Sequence, residues 1–359
     1  MASASYLRRL GIGALLIAAS SLMPCLQCLA TSASAARNSS SVSSSPSLAR
    51  IFYYREGKKA RASLFAHASS IDVLAPQAYS IDGTGALEGS IDPAVIAFAK
   101  QQGIRLMPLV TNKAFASTSV ASFLDDPAKQ DAAIAALVSE AASQGYWGWQ
   151  ADFEQIDVAY RDKFSAFIAR AGQAMKTHGL EWSVAVVAQT SENPADYPKD
   201  LWNKLIGAYD YYSLASSADF VTVMSYDDPE SSGPVARYAW LNQVLDYSLS
   251  QIPASKLSLG LSLYYWKWND RTGKLVGIGG YSGMKAVLKR KGITLGYSSA
   301  EQAPFIKYKI RKNSYTLWYE NARSVAQKIA LIKQRGLLGF SAWTLGLEVP
   351  SVFKAIGTM

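Results

Sequence analysis

Apolar positions along this chain follow two spacings in alternation. Short runs of strand length are followed by segments in which apolar residues recur every three or four positions, as on one face of a helix. Two of these helical segments begin at Asp92 and Asp126, each an N-cap residue followed by proline. Gly103 and Gly145 stand where the same segments end. The pattern therefore predicts repeated strand–helix units.

Eight apolar runs predict strands. They cover residues 51–54, 71–76, 104–110, 146–154, 182–187, 220–227, 257–264 and 338–343. Strands that are mostly separated by helices form parallel sheets, and eight of them fit an α/β fold, the (β/α)8 TIM barrel. A doubly wound sheet is the alternative, but no glycine-rich phosphate loop follows the first strand.

The gap between the last two predicted strands is too long for one helix. Residues 265–318 contain turn signals at 272–273 and 279–280, a short helical stretch at 284–291 and a strand-like stretch at 315–318. We expect this segment to be a small α+β insertion that forms one wall of a groove.

The fourth predicted strand ends in two acids. Because side chains alternate along a strand, Gln150, Asp152 and Glu154 share one face, and the apolar residues between them share the other. Two carboxylates this close repel each other, so one of them should keep its proton to higher pH, as a general acid must. Acids that cap the next helix or face water are the alternative.

Other polar and aromatic residues stand at the ends of later predicted strands, namely Tyr226, Asp227, Tyr264 and Trp343. In a (β/α)8 barrel the carboxyl ends of the strands meet at one face, where active sites lie. Their convergence with the acids of the fourth strand favours catalysis. Packing at the barrel end is the alternative for Trp343, and a core tyrosine is the alternative for Tyr226.

Composition is consistent with a large enzyme domain. The 359 residues are 49% hydrophobic and 11% aromatic, which is ample for a large core. Length alone suggests about two domains, but α/β barrels of this size occur as single domains. Nine Trp and twenty Tyr are suited to stacking on sugar rings, with core and interface packing as the alternative for most of them.

Residues 1–35 have the pattern of a secretory signal. Two arginines precede an apolar run at 11–22 that is too short to span a membrane, and a small-residue cleavage site follows at 33–35. Both cysteines, Cys25 and Cys28, lie before that site, so the mature chain is expected to have no disulfide and no thiol. A lipoprotein signal at Cys25 is disfavoured by the proline before it.

The remaining chain divides into a Ser-rich linker at 36–49 and a large domain at 50–359 that includes the insertion 265–318. The formal net charge of +9 falls to +7 without the signal. A basic exported protein suits an anionic envelope or wall, and ordinary solubility is the alternative. We expect a secreted or periplasmic protein.

Several classes of partner are not expected. No Lys/Arg block argues for nucleic acid, and no membrane span is expected in the mature chain. His67 and His178 are the two histidines, and neither has metal-ligand spacing, so we expect no metal and no cofactor. A Ser-His-Asp site is poorly supported for the same reason. We expect a monomer.

Five stretches in order resemble glycoside hydrolase family 18, and in particular its bacterial cell-wall and spore-cortex branch. The family pattern Asp-x-x-Asp-x-Asp-x-Glu stands at 147–154, where Asp152 and Glu154 match and Trp147 and Gln150 replace the first two acids. The remaining motifs are Met-x-Tyr-Asp at 224–227, Gly-x-Pro-x-Tyr-Gly-x-x-Trp at 260–268 with two departures, and similar stretches at 318–322 and at the strand with Trp343. The resemblance covers residues 50–358.

The resemblance implies a glycosidase domain that hydrolyses β-1,4-linked N-acetylglucosamine polymers, either peptidoglycan or chitin. Glu154 would protonate the glycosidic oxygen and then activate water. Asp152 would orient the substrate's own N-acetyl group, which acts as the nucleophile, and Tyr226 would donate to its carbonyl oxygen. This differs from most retaining glycosidases, in which a second carboxylate is the nucleophile.

The resemblance also implies the sugar-binding residues. Asp227 would contact the substrate or tune the acid beside it, Trp343 would form the floor of a subsite, and Tyr264 and Gln150 would line the site. Gln150 can donate a hydrogen bond to an acid but cannot share a proton with it, so an altered pH profile or weak activity is an open alternative. A carbohydrate-binding barrel without turnover is the rival function, and the retained Asp152 and Glu154 argue against it.

Overall fold

The computed structural model describes residues 48–357. The predicted signal at 1–35 lies outside the described residues, as does most of the predicted linker at 36–49. In the part that is described, no helix is long and apolar enough to cross a membrane.

Within residues 48–357, the strands form two sheets. In chain order they are β1 (Ala49–Tyr54), β2 (Val73–Ile81), β3 (Leu87–Gly89), β4 (Arg105–Leu106), β5 (Leu109–Asn112), β6 (Gly148–Asp152), β7 (Glu181–Val187), β8 (Phe220–Met224), β9 (Leu257–Ser262), β10 (Tyr265–Asn269), β11 (Lys274–Gly279), β12 (Thr294–Ser298), β13 (Ala303–Ile310), β14 (Asn313–Trp318) and β15 (Gly339–Trp343).

Helices connect most of the strands of the larger sheet. They are α1 (Lys58–Ala66), α2 (Pro93–Gln101), α3 (Ser117–Leu124), α4 (Pro127–Gln144), α5 (Arg161–Thr177), α6 (Lys199–Leu201), α7 (Tyr211–Ser217), α8 (Tyr238–Gln251), α9 (Tyr281–Leu288), α10 (Ala322–Arg335) and α11 (Val352–Ile356). A π-helical turn at Trp202–Ile206 continues α6.

Parallel strands of the larger sheet close into a barrel. β1 pairs with β2 on one side and with β15 on the other, which completes the ring β1-β2-β5-β6-β7-β8-β9-β15. The predicted (β/α)8 barrel is therefore confirmed. The third predicted strand is split into β4 and β5 at Met107 and Pro108, because a proline has no N–H to donate to the ladder. β3 adds an antiparallel hairpin to β2.

Local signals in the sequence correctly predict where α2 and α4 begin and where α4 ends. The Asp92 carboxylate accepts a hydrogen bond from the Ala94 N–H at 2.8 Å, and the Asp126 carboxylate accepts one from the Ala128 N–H at 3.0 Å. Gly145 ends α4 in the left-handed conformation, with φ of 72°. The apolar stripe of α5 is buried, as the spacing predicts; its members are Phe164, Phe167, Ile168, Ala171 and Met175.

The smaller sheet is antiparallel and lies between β9 and α10 in the chain. Its strand order is β11-β10-β14-β13-β12. α9 packs on one face, where Met284 lies against residues of β13 and β14. The helix begins at Tyr281 and ends at Leu288, three residues earlier at each end than the sequence pattern predicts. Gly280 precedes it in extended conformation, so the helix starts directly after the glycine pair.

Candidate active site

The two acids of the fourth barrel strand lie at its carboxyl end. Asp152 is the last residue of β6 and is 3% exposed, and Glu154 follows two residues later and is half-buried. Phe153, between them, is fully buried in the helix layer, where its ring stacks on Phe164 and Phe167 at centroid distances of 6.1 and 5.6 Å. Because the Phe153 side chain packs into the helix layer, the side chains of both acids extend from the opposite side of the chain.

Two side chains hold the backbone that carries Glu154. The Asn112 amide accepts a hydrogen bond from the Glu154 N–H at 2.9 Å and donates one to the Glu154 carbonyl at 3.0 Å. The Tyr209 hydroxyl donates to the Phe153 carbonyl at 2.7 Å. Neither residue was among the site residues predicted from the sequence. The signal for Asn112 was a polar residue two positions after the third predicted strand, whereas nothing around Tyr209 indicates its partner.

Burial changes the protonation of both acids. It raises the pKa of Asp152 to about 7. The pKa of Glu154 lies well above its usual value, first because of burial and then because of the negative charges of Asp152 and Asp227. Among the described residues, Asp152 Oδ1 is buried and has no hydrogen-bond partner. The site therefore combines a carboxyl group that holds its proton near neutral pH with a buried oxygen that can accept a hydrogen bond.

Tyr226 lies against the same acids. Burial, followed by the proximity of Tyr53, Asp152, Asp227 and Glu154, raises the pKa of Tyr226 well above its usual value, so its hydroxyl stays a hydrogen-bond donor. A Cβ atom at position 260 would come within 3.0 Å of the Tyr226 ring, so the glycine of β9 leaves the space that this ring needs.

Asp227 and Tyr264 are joined directly. The Tyr264 hydroxyl donates a hydrogen bond to Asp227 Oδ1 at 2.5 Å. Asp227 has a left-handed backbone with φ of 61°, a conformation that Asp and Asn tolerate better than most residues. The Tyr264 ring also meets Tyr226 edge-on at a centroid distance of 6.4 Å.

Trp343 ends β15, which lies opposite β6 in the ring of barrel strands. Its ring is partly exposed and lies 5.2 Å from the Tyr53 ring, centroid to centroid. It also packs on a cluster that includes Tyr264 and Trp266. One part of the indole is therefore exposed, while the rest packs on buried aromatic side chains.

The structure places Gln150 below the site. It is fully buried, its Oε1 accepts from the Tyr53 hydroxyl at 2.7 Å, and its Nε2 donates to Ser183 and Thr222 at 3.0 and 3.2 Å. Thr222 continues this network to Ser341 at 3.1 Å. The expectation that Gln150 contacts the sugar or hydrogen-bonds the neighbouring acid is corrected by this geometry, because its amide is occupied inside the barrel.

Within residues 48–357, no group of three or more His, Cys, Asp or Glu side chains is arranged to hold a metal ion. Of the two histidines, His67 stacks on Phe353 at a centroid distance of 3.6 Å.

Paired carboxyl groups are the catalytic groups of most glycosidases, and the comparison of sequences gives the family. Residues 60–348 match the model of the Glycosyl hydrolases family 18. The chain belongs to this family, and it is a glycoside hydrolase.

Its relatives include bacterial enzymes of two kinds. The chain is 25% identical to an uncharacterized glycosylase, YvbX, of Bacillus subtilis over 82% of this chain and 86% of that protein. It is 29% identical to the cortical fragment-lytic enzyme of the same organism over 71% of this chain, but the match spans only 60% of that enzyme's length.

Solved structures agree with this assignment. A chitinase from Chromobacterium violaceum has a TM-score of 0.77 at 28% identity, over 87% of this chain and 98% of that one. The spore cortex-lytic enzyme SleL of Bacillus megaterium has a TM-score of 0.78 at 24% identity, over 88% of this chain and 75% of that one, and shows the shared fold.

Proposed function

We propose that this enzyme hydrolyses β-1,4 bonds next to N-acetylglucosamine in peptidoglycan or chitin, with retention of configuration and with the substrate's N-acetyl group as nucleophile. One observation carries the proposal. Asp152 offers a buried oxygen without a partner among the described residues, two positions from Glu154, whose pKa is raised. An acceptor for an amide N–H next to a proton donor is what this mechanism requires.

The proposed reaction has two steps. Glu154 gives its proton to the glycosidic oxygen as the bond to the anomeric carbon breaks, while the acetamide carbonyl oxygen forms a new bond to that carbon. Asp152 accepts the acetamide N–H and balances the positive charge on the new ring, and the Tyr226 hydroxyl donates to the acetamide oxygen. In the second step the oxygen of a water molecule bonds to the anomeric carbon as the water gives a proton to Glu154. The bond from that carbon to the acetamide oxygen breaks, which opens the ring and restores the acid.

The placement of the acids argues against a nucleophilic carboxylate from β6. Retaining glycosidases with a protein nucleophile place two carboxyl groups on opposite faces of the sugar. Asp152 instead ends β6 and Glu154 follows two positions later, so both carboxyl groups extend from the end of one strand. Asp227 is the remaining acid that acts electrostatically on Glu154, and it is the alternative nucleophile.

Two groups are proposed to hold the sugar. Trp343 presents its partly exposed ring at the barrel mouth, where a sugar face can stack on it. Asp227, fixed by Tyr264, is suited to bind a sugar hydroxyl, because a carboxylate that is already oriented loses little conformational freedom on binding.

The decisive experiment compares matched oligosaccharides with and without the N-acetyl group at the sugar beside the scissile bond. We expect the full-length enzyme to cleave the acetylated compound and to bind but barely cleave the deacetylated one. A thiazoline mimic of the cyclised intermediate should inhibit strongly, because it resembles the state that the site stabilises. Equal rates on the two oligosaccharides would exclude substrate assistance and make Asp227 the first candidate nucleophile.

The polymer and the location are separate parts of the proposal. The names of the relatives include both cortical fragment-lytic enzymes and chitinases, so both polymers should be digested and the new reducing ends identified by mass.

Export is proposed from the signal pattern of residues 1–35. Secreted protein should begin near Ala36 and contain no titratable thiol, and a mature chain that retains Cys25 under a lipid would exclude this signal.

A further inference from the structure

The positive charge of this protein is concentrated in one segment. Residues 265–318 contain eleven Lys and Arg but only two acids, Asp270 and Glu301. That excess of nine equals the formal net charge of the whole chain, +9, because the rest of the sequence has 25 basic and 25 acidic residues. Three of those basic residues, Arg8, Arg9 and Arg37, precede the barrel, which itself has 22 basic and 25 acidic residues. The barrel is therefore slightly acidic overall, and the smaller sheet with its helix carries the positive charge.

These basic side chains are free to meet a partner. Ten of the eleven are exposed, and Lys267 is half-buried. None of the eleven forms an ion pair with any residue in 48–357, whereas basic residues of the barrel form many. Like charges without counter-charges repel one another, so such a cluster favours association with an anionic partner.

Most of these charges lie at one end of the smaller sheet. The β10–β11 hairpin lies beside the start of β14, since the Asp270 N–H donates to the Ser314 carbonyl at 3.0 Å. The carboxyl end of α9 reaches the same place, where the Arg290 guanidinium lies 5.9 Å from the centre of the Tyr308 ring. We call this region the cationic end; its members are Arg271, Lys274, Lys289, Arg290, Lys291, Lys309, Arg311 and Lys312.

The cationic end is separated from the candidate active site. β10 begins at Tyr265, directly after the barrel strand β9, and β14 returns at Trp318 to the chain that leads into α10. The basic hairpins lie at the opposite ends of these two strands. Strands of five or six residues span roughly 17–20 Å. A ligand that reaches both places must therefore be a polymer rather than a single sugar.

We propose that the cationic end binds the carboxylate groups of peptidoglycan while the barrel acts on the glycan, so that the anionic polymer is favoured over neutral chitin. This rests on the proposed function, in which both polymers are candidate substrates. The peptide stems give peptidoglycan repeated carboxylates along its length, whereas chitin has no charge to pair with eight cations.

Two other anionic partners fit the cationic end less well. Single-stranded nucleic acid is bound by stacking its bases on exposed aromatic rings. At this end Tyr308 is buried and stacks on Tyr315, so these rings are already occupied. Membrane surfaces are bound by helices with an apolar face directed outward, whereas α9 directs Met284 onto its own sheet.

The test separates binding from turnover. In a Glu154→Gln background, five charges of the cationic end are removed by K289Q, R290Q, K291Q, R311Q and K312Q. The matched control removes five exposed barrel lysines by K100Q, K176Q, K199Q, K333Q and K354Q. Each protein is sedimented with insoluble peptidoglycan and with chitin at two ionic strengths. These are about 0.01 M and about 1 M, at which the Debye length is about 30 Å and about 3 Å.

We expect the cationic-end variant to bind peptidoglycan at least about tenfold more weakly at low salt, with chitin binding unchanged and the control protein close to the parent. High salt should remove the difference. An unchanged affinity for peptidoglycan, an equal loss on chitin, or a loss that salt does not affect would each overturn the proposal. Tighter binding of the parent to phosphatidylglycerol vesicles or to single-stranded DNA than to peptidoglycan would overturn it as well.

A second measurement keeps this result apart from the proposed function. With Glu154 restored, the cationic-end variant should cleave soluble, neutral N-acetylglucosamine oligosaccharides as fast as the unmodified enzyme does. Absence of cleavage by the unmodified enzyme would contradict the proposed function and leave the sedimentation result to decide the docking proposal. A slower variant on the soluble substrate would show that the segment acts on the barrel and would overturn docking.

Discussion

The side-chain amide of Asn112 makes two hydrogen bonds with the backbone of Glu154, accepting from its N–H at 2.9 Å and donating to its carbonyl at 3.0 Å. β6 ends at Asp152, so Glu154 lies beyond the last residue of the strand. Asn112 ends the neighbouring strand β5 and is itself 1% exposed. Its amide thus takes the place of one further ladder pair and fixes the backbone of the candidate acid.

Replacing Asn112 should therefore affect turnover more than binding. Asn112→Ala leaves the N–H and the carbonyl of the half-buried Glu154 without these partners, so the free energy of unfolding should fall by about 1–3 kcal/mol. The acid would lose its fixed position, so kcat should fall while KM changes little. Steady-state kinetics on soluble oligosaccharides would measure this. Asn193→Ala, which removes an exposed cap, should reduce stability without lowering kcat; an equal effect on kcat would contradict the positioning role.

Loss of the acid itself should remove most hydrolysis. Glu154→Gln keeps the size of the side chain but cannot transfer a proton, so turnover should fall about 10²–10⁴-fold with sugar binding retained. The matched control is Glu192→Gln, at an exposed position. A folded Glu154→Gln variant with full turnover would exclude Glu154 as the acid.

The charge of Asp227 should control the alkaline limit of activity. It is one of the causes that raise the pKa of Glu154, after burial and Asp152. Asp227→Asn removes that charge, suits the left-handed backbone and still accepts a hydrogen bond from Tyr264. Because the acid must be protonated, the alkaline limb of kcat/KM should move to lower pH. A limb that stays in place in this variant would show that another group sets it.

Because of Asp152, the folded protein should become less stable as the pH rises. Its pKa is raised by burial to about 7 in the folded chain, above the value of about 3.9 for an unfolded aspartate. The folded state then binds more protons than the unfolded state does. Asp152 therefore makes its whole contribution to the free energy of unfolding below about pH 4, and this contribution is lost as the pH rises towards 7. Urea unfolding at about pH 5 and about pH 8 should show a smaller loss for Asp152→Asn than for the unmodified protein. Equal losses would contradict the raised pKa.

Gln150 should prove to be a structural residue. Gln150→Leu leaves the buried hydroxyl of Tyr53 without its acceptor, which should lower the free energy of unfolding by about 1–3 kcal/mol. KM for oligosaccharides should change little, because the amide is not exposed to a sugar. Trp343→Ala is the comparison, since loss of an exposed stacking ring should raise KM. A large rise in KM for the Gln150→Leu variant would restore Gln150 to the substrate-binding residues.

Features that depend on neighbours in the chain could be predicted from the sequence. The N-caps Asp92 and Asp126 and the left-handed Gly145 act through the next few backbone groups, so helix ends were predictable. The common face of Asp152 and Glu154 follows from the two-residue repeat of a strand. The strand count followed from apolar runs, and with it the (β/α)8 barrel, because eight parallel strands can close only by pairing the first with the last.

Contacts between distant residues depend on the tertiary structure. Gln150 meets Tyr53 across 97 positions, and Asn112 meets Glu154 across 42. Which side chains come together inside the barrel depends on the register between strands, and closure of the ring sets that register for all strands at once. Local spacing carries no information about it. The same reason explains why basic residues scattered over residues 265–318 are seen as one charged end only when the hairpins of the smaller sheet are paired.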